Sequence, residues 1–217
     1  MLNEDGNRLE YTAQDKALVP KNDVLLKGMV SIGGSKIGLK YLKSRGFGQQ
    51  EIDDWGLMWC DRGRYRDRIM MPVRSVDGQH IRAWQGRAVD RRQWPPYLAT
   101  SEGEGTNVKE LVLNIHRAVS PLVLVEGWMD LLAVGCEHGI CSLGKGLTEA
   151  QKRALRAARP REVVVLLDGD ALADADNICN DLNCFCNSRV VELPYGEDPA
   201  SLGRKMVWDV IKIGLSY

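Results

Sequence analysis

The chain has 217 residues, room for one large domain or two small ones, and a hydrophobic fraction of 44% that is ample for a buried core. Lysine plus arginine and aspartate plus glutamate balance at 29 each, which excludes a uniformly basic nucleic-acid coat protein. No apolar run approaches the roughly 20 residues of a membrane helix, and the opening MLNEDGNRLEYTAQDK has no apolar segment, so no membrane partner and no secretory leader are expected and the cytoplasm is the expected compartment.

In chain order, residues 1–35 read as weakly structured and end in the loop signal SIGGS. Lys36 to Ser44 and Gln49 to Trp55 read as short helices separated by Gly46. RIMMPVRS and HIRAWQGRAV read as strands joined by Val76-Asp77-Gly78-Gln79, because Asp-Gly between apolar runs is a hairpin signal. Residues 94–107, rich in Pro, Gly, Ser and Thr, read as a loop. These elements make an α+β, strand-rich subdomain over 36–110. Between Arg62 and Arg92 it carries nine arginines against three aspartates, a face that could follow phosphates or simply be solvated.

From 111 to 217 strand and helix alternate. Strands are expected at Leu122–Val125, Gly139–Ser142, Val163–Leu167 and Arg189–Leu193. Helices are expected at Trp128–Glu137, at Thr148–Arg159 behind a capping box, and at Leu172–Cys184. Such alternation with fully apolar strands predicts an α/β domain, a parallel sheet covered by helices on both faces.

Sites in open α/β sheets form at the carboxyl ends of strands. Glu126 ends one strand, Asp168 and Asp170 follow another, and Asp130 lies one helical turn beyond Glu126. Carboxylates that share an edge resist ionising together unless a cation neutralises them, and all-oxygen donors suit Mg²⁺ or Mn²⁺. Plain turn chemistry at Asp-Gly-Asp is the alternative. Gly139-x4-Gly144-Lys145-Gly146 approaches a phosphate loop but lacks the Ser/Thr that holds Mg²⁺, so only Lys145 is kept as a phosphate contact. The cysteines at 60, 136, 141, 179, 184 and 186 form no CxxC pair, so reduced thiols and no zinc are expected. Trp84, Trp94 and Trp128 are either core residues or base-stacking platforms.

EGWMD and DGD together resemble the Toprim domain, which is shared by bacterial-type primases, topoisomerases and some nucleases. More of the chain, about residues 37 to 204, resembles the catalytic core of the DnaG-type DNA primases in the order of its motifs: GLKYLKSRGFGQQEIDDWGL, RDRIMMPVRSVDGQHIRAWQGRAVD, PPYLATSE, SLGKGLT and LPYGEDPASL. The resemblance implies a Toprim-like parallel sheet over 111–217 preceded by a primase-like α+β subdomain over 36–110. It implies a DNA-directed RNA polymerase, a nucleotidyltransferase that makes short RNA primers on single-stranded DNA from NTPs.

Residue by residue, the resemblance makes Glu126, Asp168 and Asp170 catalytic and metal-binding, with Asp130 and Asp198 supporting the metal. It places Arg66, Arg68, Arg87, Tyr97 and Lys109 against template or nucleotide. The chain departs from the family pattern at Tyr195 and Ala200, where aspartates usually flank Asp198, at Pro96 for a lysine, and at Ala171 and Ala173 after DGD. No zinc-binding module is expected before the core and no helicase domain after it. A separate zinc-binding module and a replicative helicase are therefore the expected partners, and a phage or mobile-element origin, acting in a bacterial host's cytoplasm, is expected. A Toprim nuclease and a non-catalytic DNA-binding or replisome protein are the alternatives.

Overall fold

The computed structural model describes residues 26–101 and 103–216. Positions 1–25 of the segment expected to be loosely structured lie outside the described residues. The end of that segment is ordered rather than loose: β1 (Met29–Ser31) runs into a single 3₁₀ turn, Ile32–Gly34, whose Ile32 is buried. The described residues divide into two compact units, 26–74 with 79–108, and 75–78 with 109–216.

In the first unit α1 (Lys36–Ser44) and α2 (Gln49–Trp55) have the expected bounds. Ser35 caps α1 by accepting from the Gly38 amide at 3.0 Å, and Gly56, at φ 62, closes α2. Helix α1 lies close on Trp59, since a Cβ at Gly38 would stand 3.0 Å from the indole. The strands β2 (Met58–Cys60), β3 (Arg68–Arg74), β4 (Ile81–Ala88) and β5 (Tyr97–Ala99) continue β1 into one antiparallel sheet in chain order. Strand β5 falls inside the stretch expected to be loop. Three residues behind Pro95-Pro96 give no readable alternation, yet they pair with Gln85–Arg87 of β4.

Met70 and Gly86 face each other across the β3–β4 hairpin. A Cβ at Gly86 would stand 2.7 Å from Met70 Sδ, so only glycine lets β4 approach there. One side of this sheet packs Cys60, Tyr65, Met70 and Trp84 together, with Leu26, Met58 and Leu98 against them. The Tyr65 hydroxyl donates to Glu104 Oε2 at 2.5 Å, and Glu104 also accepts from the Ser101 amide and hydroxyl, which closes the loop after β5.

The second unit holds β6 (Leu122–Val125), α3 (Trp128–Val134), β7 (Gly139–Cys141), α4 (Glu149–Ala158), β8 (Glu162–Val165), α5 (Leu172–Leu182), β9 (Asn187–Val190) and α6 (Pro199–Leu215). Its sheet is parallel throughout, in the order β7-β6-β8-β9. Right-handed crossovers put α3 on one face and α4 and α5 on the other. The packing agrees: Leu122, Leu124, Val163 and Val165 join Leu155 of α4 and Ile178 and Leu182 of α5 in one apolar core. Helix α6 packs on α3, with Trp208 Nε1 donating to the Val134 carbonyl at 3.0 Å and Arg204 to that of Leu132 at 3.1 Å.

Helix α3 stops at Val134, earlier than expected, because Gly135 turns out of the helix at φ 97. The capping box at Thr148 is present as expected. The last strand sits at 187–190 rather than 189–193. Helix α6 was not expected; Gly203, at φ 74, kinks it and breaks the apolar period.

Candidate nucleotidyl-transfer site

Strands β6 and β8 are hydrogen-bonded neighbours, so the residues after them share the carboxyl edge of the sheet. Glu126 follows β6 directly, and its carbonyl accepts from the Gly144 amide at 3.1 Å and from the Cys141 thiol at 3.1 Å. Asp168 and Asp170 sit in the loop between β8 and α5. Asp130, in the first turn of α3, accepts from the Ala200 amide at 3.3 Å.

These acids act on one another. Burial, then Asp168, then Asp198 push the Asp130 carboxyl up to about 7. Burial, then Asp198 and Asp170, raise that of Asp168, and Lys145 opposes them. Burial, then Asp168, raise that of Glu126, while Lys145 and Lys109 pull it down. All five predicted acids and both predicted lysines therefore lie within electrostatic reach of one edge. Among the described residues, however, no three His, Cys, Asp or Glu side chains stand close enough to hold one ion.

Two neighbours escaped the sequence reading. Asp174, in the first turn of α5, adds to the field on Glu126, and nothing but its place near α5's start signalled it. The buried Cys141 supports the Glu126 backbone, and its thiol is inert because burial raises its pKa far above the ordinary thiol value. Asp198 also serves the fold, since its Oδ1 accepts from the Ser201 amide at 2.7 Å and caps α6.

Gly169, between the two aspartates, meets main chain. Its amide donates to the Glu197 carbonyl at 2.9 Å, and a Cβ there would fall 2.2 Å from the Pro194 carbonyl oxygen. A cleft opens beside Asp168, walled by Leu172, Ala175, Val190 and Leu193.

The basic residues of the antiparallel unit differ from one another. Arg66 is exposed and pairs with Asp67 at 2.9 Å. Arg87 donates to the Tyr41 hydroxyl at 3.1 Å and lies 4.6 Å over the Tyr97 ring. Arg68 departs from the expectation of a phosphate contact: it is 2% exposed, and its guanidinium donates to the Pro95 and Pro96 carbonyls at 2.7 and 3.2 Å. Much of the arginine excess is also balanced locally, because Arg62, Arg64, Arg66 and Arg92 pair with Asp61, Glu104, Asp67 and Asp90. Trp84 and Trp128 are core residues, at 3% and 0% exposure.

No protein-family model matches the chain. It is 31% identical over 153 residues to the DNA primase of Myxococcus xanthus, an alignment covering 65% of this chain and 25% of that protein. It spans about a quarter of the length of the curated primases it matches. A crystal structure of Aquifex aeolicus primase, comprising zinc-binding and RNA polymerase domains, superposes with TM-score 0.72 at 19% identity, over 84% of this chain and 57% of that one. The RNA polymerase domain of Mycobacterium tuberculosis primase DnaG, solved with double-stranded DNA, superposes with TM-score 0.63 at 18% identity, over 82% of this chain and 73% of that one. In sequence the chain is thus similar to bacterial DNA primases, and its fold is that of the primase RNA polymerase domains.

Proposed function

We propose that the chain is the RNA polymerase core of a primase, joining NTPs into short RNA primers on single-stranded DNA by metal-dependent nucleotidyl transfer. The observation that carries this reading is the placement of Glu126 and Asp168 after adjacent parallel strands, with Asp130, Asp170 and Asp198 in the same field. The donors are all oxygen, and their carboxyls are raised by burial and mutual repulsion, which a hard divalent cation relieves. Glu126, Asp168 and Asp170 are the residues that would hold Mg²⁺ or Mn²⁺, with Asp130 and Asp198 in support. Bound there, the ion supplies charge neutralisation at the transferring phosphoryl group and acidifies the attacking hydroxyl.

Lys145 and Lys109 balance the acid edge and would meet triphosphate oxygens. If it does not hold the ion, Glu126, whose carboxyl is raised, would instead take the proton from the attacking hydroxyl. In the antiparallel unit, Arg66, Arg87 and Tyr97 would follow the template strand. The DNA-bound relative supports a DNA partner of this fold. A replicative helicase and a zinc-binding module are the partners proposed to select start sites, in the cytoplasm; no described helix is long and apolar enough to cross a membrane.

The test incubates the protein with single-stranded DNA templates, labelled NTPs and Mg²⁺ or Mn²⁺, and resolves products on a denaturing gel. Short RNAs that Asp168→Asn and Glu126→Gln each abolish support the reading. DNA cleavage instead would make the protein a nuclease. DNA binding with neither product, with or without a helicase and zinc module supplied, would make it a binding protein.

A further inference from the structure

Trp94 is 85% exposed, whereas Trp55, Trp59, Trp84 and Trp128 are buried. An indole left in water is costly unless something covers it. Its loop is not slack. Gln93 Nε2 donates to the Arg66 carbonyl at 2.7 Å on one side, and the buried Arg68 guanidinium binds the Pro95 and Pro96 carbonyls on the other. The Gln93 amide also closes a turn on the Asp90 carbonyl at 3.0 Å. Backbone before and after Trp94 is therefore pinned, and the indole is presented from a fixed base.

The surroundings choose the partner. Among the described residues of this unit, Ile37 is the one other large apolar side chain that is strongly exposed, so there is no patch of the size a protein interface needs. The turn that carries Trp94 also carries Arg91 and Arg92, the latter paired with Asp90, and Gln93 ties it to the main chain of Arg66, whose guanidinium pairs with Asp67. Behind the turn Arg68 and Arg87 lie close enough to repel each other. An isolated exposed aromatic face on an arginine-bearing turn matches a polyanion that offers unstacked aromatic faces.

We infer that Trp94 is a stacking platform for an unpaired base of single-stranded nucleic acid, held in place by Gln93 and Arg68. The inference rests on the template-binding reading above and adds to it a residue and a recognition chemistry.

The test uses the full chain. Acrylamide quenching of tryptophan emission is measured with and without an oligothymidylate, and binding is followed by fluorescence anisotropy of the labelled oligonucleotide. The oligonucleotide is expected to shield the exposed tryptophan, and the shielding should vanish in Trp94→Ala. Trp94→Ala should weaken binding about ten-fold or more while leaving the salt slope unchanged, and Trp94→Phe should restore most of the affinity. A duplex of the same length should not shield, since its bases are already stacked. Undiminished affinity in Trp94→Ala, loss of affinity in Trp94→Phe equal to that in Trp94→Ala, or shielding by duplex alone would overturn the inference. RNA synthesis is scored separately: its absence with shielding intact counts against the polymerase reading only, and its presence without shielding counts against Trp94 only.

Discussion

The Ala200 amide donates to Asp130 Oδ1 at 3.3 Å, tying the first turn of α6 to the first turn of α3. The bond holds Asp130 half-buried in the field of Asp168 and Asp198, and its carboxyl rises to about 7. An unfolded aspartate titrates near ~3.9. Between roughly pH 4 and 7 the folded chain thus keeps a proton that the unfolded chain has released, and metal-free stability falls as pH rises through that window. Asp130→Asn keeps the acceptor and removes the charge. It is expected to flatten this fall and raise the metal-free Tm near pH 7, while weakening Mg²⁺-dependent stabilisation. Thermal melts of both proteins across the window check it; parallel curves would refute the assignment.

The Tyr65–Glu104 bond gives two further pH limbs. Tyr65, then Ser101, hold the Glu104 carboxyl down to about 2. Its contribution is present above the unfolded value of ~4.3 and is lost as pH falls toward 2. Burial, then Glu104, raise the Tyr65 hydroxyl, so stability also falls as pH climbs past ~10, where only the unfolded tyrosine ionises. Tyr65→Phe should reduce the steepness of both limbs, read by circular dichroism at the two extremes. Glu104 is partly exposed, so the acid change is expected to be the smaller.

Arg68 distinguishes structure from recognition. Arg68→Met removes the donors to the Pro95 and Pro96 carbonyls and should cost about 1–3 kcal/mol in denaturant unfolding. It should leave the salt slope of single-stranded DNA binding unchanged. Arg66→Ala should do the opposite, leaving stability near wild type and lowering the slope by about 1.

Gln151 is fully buried in the first turn of α4. Its Nε2 donates to the Ser142 and Leu111 carbonyls at 2.7 and 2.9 Å, and its Oε1 accepts from the Thr148 amide at 3.0 Å. Gln151→Leu fills similar space yet strands two carbonyls and an amide. A loss of about 2–4 kcal/mol is expected in urea titration, while Gln151→Glu, which keeps the cap, should lose less of the helix but still strand the carbonyls.

The parallel sheet was legible because β6, β7 and β8 are apolar on both faces and α4 opens on a capping box, so period and punctuation agreed; the polar β9 was the strand misplaced. The acid edge was legible for the same reason: Glu126 and Asp168 end apolar runs. What was illegible was short or interrupted. Strands β1, β2 and β5 have three residues each, too few for alternation; β2 is added to β3, β1 to β2 and β5 to β4. Helix α6 hid behind Gly203. Arg68 was misjudged because sequence gives charge but not depth. Trp94 could not be told from Trp84, since both sit among arginines in the chain and only the fold buries one of them.

Gly169 locks its loop to the turn at Pro194–Glu197 by main chain alone, through one amide and one close carbonyl. The consequence is a division of labour between backbone and side chain. The position of the turn owes nothing to the side chain at 195, which is 88% exposed. An aspartate or a tyrosine can occupy that site without moving Asp168 or Asp198. The turn is a fixed socket at the rim of the acids, and what it carries can be exchanged while the rim keeps its shape.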